Sequence, residues 1–389
     1  MKHLSKIAEN LLGQPMFGLL SRAQDMEREG KKVIHFELGD PNFDSPDHVL
    51  EAAKKALDQK LTHYTNSMGL RELREAVANY AERDLGFKPD LNQVLICPAN
   101  ALIDFTARCA ADPGEEIILP GPGFPTYYSV IKYNGFVPVP VRLKEENSFR
   151  MNPDDIVEKI TDKTRLIIMN TPQNPTGSVM TEEEVFKTAE IAEHSDVYLL
   201  SDEVYSKIIY GGKNHFSPSL RDKCKERTIV LGSLSKIYSM SGWRLGFAIG
   251  PESFIRKMGL LLETIMSCLP AFTQLGGKAA LEGDHSFLGK RIQELNERRN
   301  LLIGGLNRIK GLSCVMPEGA FYAFCNIKGT GMDSARYCEE LLENSGIAAV
   351  SGNCFGSFGE GYARFCYAST EKKEIEEALS KMEDFHKKI

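Results

Sequence analysis

The chain has 389 residues, 42% hydrophobic and 26% charged, with a formal net charge of −6. That is an ordinary soluble globular composition, with length for about two domains and a large core. The acidic balance argues against nonspecific binding to nucleic acid or an anionic membrane surface, and no apolar run reaches the roughly 18 residues of a membrane span.

The opening, MKHLSKIAENLLGQPMFGLL, lacks a continuous apolar core before a small-residue cleavage site, so no secretory signal is expected. The first 40 or so residues read as a helix followed by the strand KVIHFELG. Seven short apolar runs then follow: VLICP (94–98), EIILP (116–120), FVPVPV (136–141), RLIIMN (165–170), VYLLSDE (197–203), TIVLGS (228–233) and GFAIG (246–250). Helical stretches such as TEEEVFKTAEIAEHS separate most of them. Buried strands joined by helical crossovers imply an α/β domain with a largely parallel sheet. Only TIVLGS to GFAIG lacks a crossover helix, so the last strand is expected to run antiparallel. A helical region begins near residue 252. A smaller α+β unit follows, with strand material in GLSCVMPEGAFYAFCNI and YARFCYAST. The expected division is a large domain over 46–290 and a small domain built from 1–45 and 291–389.

Nine cysteines are scattered with no CxxC. Reduced thiols in a cytoplasmic protein are expected, with neither a zinc site nor a disulfide framework.

Ligands of open parallel sheets bind beyond the carboxyl ends of the strands. Asn170 with TPQNPTG, Asp202, Ser233 with Lys236, and Pro98-Ala99-Asn100 all fall at such ends. Each also has a plain structural reading. Asp202 can serve as a helix N-cap, Asn174 can shape a turn with Pro175 and Gly177, and Arg244 can be a surface cation. Taken together, a carboxylate, an amide, a lysine and small residues converging on one sheet edge describe a site.

These residues belong to a recognisable series: GDPNFDSP (39–46), YTNSMGLRELREAVA (64–78), DPGEEIILPGPGFPTY (112–127), NTPQNPTG (170–177), SDEVYSKIIY (201–210), SLSKIYSMSGWRLGF (233–247), PEGAFYAF (317–324) and GYARFCYAS (361–369). In content and order the series resembles the class I/II pyridoxal-phosphate-dependent aminotransferases, of the aspartate aminotransferase-like fold type I, across nearly the whole chain. The resemblance implies a mostly parallel seven-stranded sheet in the large domain beside a smaller α+β domain. It also implies pyridoxal 5′-phosphate as cofactor, no metal, and a homodimer with sites at the interface. The substrates would be an α-amino acid and a 2-oxo acid.

By the same resemblance Lys236 would hold the cofactor as an aldimine and then carry a proton. An ordinary lysine pKa of about 10.4 must fall for either role. Asp202 would keep the cofactor's ring nitrogen protonated. Tyr205 and Asn174 would reach its ring hydroxyl, and Phe124 would stack on its face. Arg244, Ser233 and Ser235 would bind the phosphate, joined by the N–H groups of Ala99 and Asn100 at a helix start and by Tyr64 from the neighbouring subunit. Arg364 would clamp the substrate α-carboxylate bidentately, helped by Asn174 and the backbone near Gly39.

Two features depart from the family pattern. Proline replaces the common glycine at position 98 and supplies no N–H. Asn100 stands where some relatives that act on acidic substrates carry a lysine, which disfavours a dedicated aspartate enzyme. Met16 and Phe17 read equally as an apolar pocket lining or as core. The leading expectation is an aminotransferase. Elimination, cyclisation, decarboxylation or oxidation on the same cofactor is the alternative, and a cofactor-bound regulatory module a further one.

Overall fold

The computed structural model describes residues 3–9 and 11–388. All seven central apolar runs form one sheet: β1 Val94–Ile96, β2 Glu116–Gly121, β3 Val137–Arg142, β4 Thr164–Asn170, β5 Tyr198–Asp202, β6 Thr228–Ser233 and β7 Gly246–Ile249. Their spatial order is β1-β7-β6-β5-β4-β2-β3. β7 runs antiparallel to both β1 and β6, and the remaining pairs are parallel. The connection from 233 to 246 holds only the four-residue helix Leu234–Ile237 and a 3-10 turn at Ser241–Trp243, with no helix long enough to carry the chain back across the sheet for a parallel return.

The runs are continuously apolar because both faces are covered. Side chains alternate along each strand. Ile117, Leu119, Leu166 and Ile168 therefore join one core cluster, while Ile118, Ile167 and Met169 join another on the opposite face. Between β4 and β5 the helix Glu182–His194 starts as its sequence requires. Thr181 Oγ1 accepts from Glu184 N at 3.2 Å, and Thr181 N donates back to Glu184 Oε2 at 2.8 Å, a reciprocal cap.

A second, four-stranded antiparallel sheet comprises β8 Ser313–Cys314, β9 Tyr322–Asn326, β10 Val350–Ser351 and β11 Tyr362–Cys366, in the order β10-β11-β9-β8. The expected strand KVIHFELG is shorter than read. Only Ile34–His35 pair, parallel to Ile347–Ala348. Its remaining residues bend into the space between the two larger sheets, where the carbonyls of Glu37 and Gly39 accept from Arg364 and Lys236. The N-terminal segment thus pairs with the C-terminal part of the chain, Ile34 N donating to the Gly346 carbonyl and Phe36 N to that of Ala348.

Candidate active site

Three strand ends meet at the carboxyl edge of the large sheet. Asn170 closes β4 directly opposite Asp202, which closes β5, and Ser233 closes β6. Helix α1 (Ala99–Ala110) begins just after β1, with Pro98 as its N-cap. Helix α2 (Pro125–Tyr133) follows β2, with Phe124 as its N-cap. The short helix α3 (Leu234–Ile237) carries Lys236, and Ser233 Oγ caps it by accepting from Ser235 N at 3.2 Å. Arg364 comes from β11 and Tyr322 from β9, facing this edge from the small sheet.

Between them lies a cavity of about 430 Å³. It is lined by Lys236, Asp202, Tyr205, Ala99, Asn100, Phe124, Asn174, Ser233, Ser235, Arg244, Gly39 and Arg364, so the structure gathers all but one of the expected site residues. Tyr64 is the exception: it is 87% exposed and does not line its own chain's cavity.

Two ionisable groups are shifted in complementary directions. Burial pushes the Asp202 carboxyl up to about 6, against the hydrogen bonds from Tyr127 and Val204 N that favour its charged form. Burial holds the Lys236 ammonium below its ordinary value; Asp40 and Cys366 oppose that shift, while Arg244 and Arg364 add to it. The amine donates to the Gly39 carbonyl. Glycine is required there by close approach, since a Cβ would collide with the Tyr322 hydroxyl.

Arg364 is 1% exposed yet pairs with no carboxylate among the described residues. Nη1 donates to Asn174 Oδ1 at 3.3 Å and Nη2 to the Glu37 carbonyl, while the buried Nε has no partner. Its guanidinium carbon lies 4.6 Å from the centre of the Tyr322 ring and 5.0 Å from that of Phe355. A buried cation held by neutral oxygens and aromatic faces, with its Nε unpartnered, is prepared for an anionic ligand. Arg244, exposed at the rim with φ 57°, has a single internal tie, Nη1 to the Ser241 carbonyl at 2.6 Å.

Several lining residues had no expected role at the site. Tyr127 donates to Asp202 Oδ2 at 2.5 Å; its position one helical turn after Phe124 was the available signal. Tyr322 OH pairs with Tyr205 OH at 2.7 Å. The Asn170 side chain bridges the Asp202 carbonyl and Asn174 N, at 3.0 Å each. Asp40, after Gly39, places a carboxylate near Lys236. Met16 and Phe17 both line the cavity, Met16 buried and Phe17 exposed. Trp243 serves packing and donates to Ser45 Oγ at 3.1 Å.

The sequence model of the family described as aminotransferase class I and II matches residues 31–382. An aspartate aminotransferase of Pyrococcus horikoshii is 38% identical over 370 residues, 94% of this chain and 92% of that one. An aromatic-amino-acid aminotransferase of Thermococcus litoralis is 38% identical over 363 residues, 92% of this chain and 93% of the other. The solved alanine aminotransferase of Pyrococcus furiosus superposes with a TM-score of 0.93 at 32% identity, covering 100% of both chains. A match over this length, on a sheet edge assembled in this way, places the chain in the aminotransferase class I and II family, as an enzyme that transfers amino groups.

Proposed function

We propose that the cavity holds pyridoxal 5′-phosphate on Lys236 and exchanges amino groups between an α-amino acid and a 2-oxo acid. The observation that carries this reading is one cavity at the sheet edge lined by a lysine whose amine burial pulls toward neutrality and by a buried carboxylate. The residues present fit the cofactor. Asp202 offers a desolvated anion to a ring nitrogen, Phe124 an aromatic face, and Tyr205 and Asn174 polar atoms for a ring hydroxyl. Ser233, Ser235, Arg244 and the first-turn N–H groups of Ala99 and Asn100 suit a phosphate; such N–H groups have no intrahelical partner.

When bound, pyridoxal phosphate supplies an aldehyde that condenses with amines and a ring that withdraws electrons from the substrate Cα. The protein's part is positioning and proton transfer. Arg364 fixes the substrate carboxylate, assisted by Asn174. Once free, the Lys236 amine takes the proton from Cα, a base role that the lowering of its pKa by burial favours. Asp202 keeps a proton on the ring nitrogen. The Tyr205–Tyr322 pair walls the site on the small-sheet side.

Three further assignments complete the proposal. Residues 46–290 form the large unit, and 1–45 with 291–389 the small one; the contents of the two sheets support this division. A second copy of the chain docks so that the exposed Tyr64 reaches the neighbouring phosphate. The enzyme works in the cytoplasm, consistent with nine free cysteines.

Borohydride treatment of the cofactor-loaded protein tests the central claim. A cofactor adduct on the peptide containing Lys236 is expected, and its absence overturns the assignment. Amino acids should then convert the absorbance of the loaded protein to the amine form of the cofactor. Release of ammonia or carbon dioxide without that conversion would point to the alternative chemistries.

A further inference from the structure

We propose that the site selects an uncharged amino acid with a large apolar side chain, lodged against Met16, Phe17 and Leu38, and that it rejects a second carboxylate. The proposal rests on the transamination reading and extends it to the side-chain subsite.

Among the described residues, the cavity wall carries Lys236, Arg244 and Arg364 as its lysine and arginine side chains. All three cations are already committed, to holding the cofactor, binding its phosphate and clamping the α-carboxylate. None remains for a distal carboxylate. Asn100 contributes only an amide, and Asp40 adds a negative charge near Lys236. A second carboxylate here would lose hydration without gaining an ion pair and would meet repulsion from Asp40.

The wall beside the carboxylate clamp is apolar instead. Leu38 directly follows Glu37, whose carbonyl accepts from Arg364. Met16 shares a core cluster with Phe355, whose ring lies against the Arg364 guanidinium. Phe17 lines the same cavity and stays 56% exposed, leaving its ring free to cover a ligand. The segment is anchored across the cavity mouth by Gln14 Nε2, which donates to Thr126 Oγ1 at 3.1 Å, beside Phe124. Burial of apolar ligand surface on such a wall is favourable in proportion to area.

Non-reacting acids separate this inference from the transamination reading. Isothermal titration of the cofactor-loaded protein with 3-phenylpropionate and 4-methylvalerate should give dissociation constants at least ten-fold below those of succinate and maleate. Tighter binding of succinate or maleate would overturn the proposal, including by a cation that a second copy brings to the site. The variant Phe17→Ala should weaken 3-phenylpropionate about five-fold or more and leave succinate nearly unchanged; no effect, or an equal loss for both, would remove Phe17 from the subsite. Phenylalanine and leucine should also convert the bound cofactor faster than aspartate or glutamate. If no amino acid converts it, the transamination reading fails while the titrations still decide the subsite.

Discussion

Tyr127, fully buried, donates its phenolic hydrogen bond at 2.5 Å to Oδ2 of Asp202, which is 5% exposed at the cavity wall. The bond favours the carboxylate over the acid and opposes the effect of burial, which has already raised Asp202 to about 6. Removing it in Tyr127→Phe should raise that value further. Because a cationic ring nitrogen binds the ionised form, cofactor affinity should be constant above the pKa of the empty site and fall below it. The acid limb should therefore move up by about one to two pH units, given about 1.5–3 kcal/mol for a hydrogen bond to a charged group. Cofactor titrations across pH check this, and an unmoved limb would contradict the role given to Tyr127.

The same burial makes Asp202 costly before the cofactor arrives. Its folded pKa lies above the unfolded value, so the group favours folding most at low pH and loses that contribution as pH rises from about 4 through about 6. At neutral pH, Asp202→Asn should stabilise the cofactor-free protein by about 2–3 kcal/mol while preventing normal activity. Denaturant titration of the two cofactor-free forms gives the comparison. A less stable Asn variant would show that the carboxylate is not strained.

Arg364→Lys keeps the charge but loses the planar fork. The expected result is a rise in KM for amino acids corresponding to about 1.5–3 kcal/mol, with cofactor content unchanged. Steady-state kinetics on protein of measured cofactor occupancy would reveal an unaltered KM, the outcome that excludes the clamp.

Glu203 makes a purely structural prediction. Its buried carboxylate accepts from Ser201 Oγ at 2.8 Å and Ser217 Oγ at 2.6 Å, and it pairs with His215 Nε2 at 2.9 Å. Glu203→Ala strands Ser201 Oγ and His215 Nε2 beside the site and should destabilise the fold by about 3 kcal/mol. A loss under about 1 kcal/mol in denaturant unfolding would mean that water replaces the network.

Tyr64 can be tested by complementation. If it acts across an interface, mixing Tyr64→Phe subunits with Lys236→Ala subunits creates one site carrying both defects and one carrying neither. Activity at limiting cofactor should then exceed that of either parent. A mixture no better than its parents, despite exchange of subunits, would place Tyr64 outside the neighbouring site.

Local pattern explains what could be read in advance. The seven strands follow from apolar runs covered on both faces, and the β7 reversal from a linker without a crossover helix. Strand ends then delivered Asn170, Asp202 and Ser233 to one edge. What local pattern missed was pairing at a distance. Lys207 reads as a solvated cation but forms an ion pair with Asp84, 123 positions earlier in the chain. His215 has no partner spacing in sequence, yet it meets Glu203 in the core. KVIHFELG looks like a full strand, and its last residues leave the sheet because Arg364 and Lys236 bind their carbonyls.

The sequence by itself determined the strands, their edge, and the residue types that could hold a cofactor there, because hydrophobic periodicity and strand ends are local properties. Only the tertiary structure decided which groups share one low-dielectric space. Tyr127 reaches Asp202 within the large unit, while Gly39 beneath Tyr322 and Arg364 with its Nε unpartnered result from the small sheet closing over the large one. Burial in that space favours the neutral amine of Lys236, while at Asp202 it opposes the ionised form that the hydrogen bonds from Tyr127 and Val204 N support, and desolvation depends on packing from all sides rather than on neighbours in the chain.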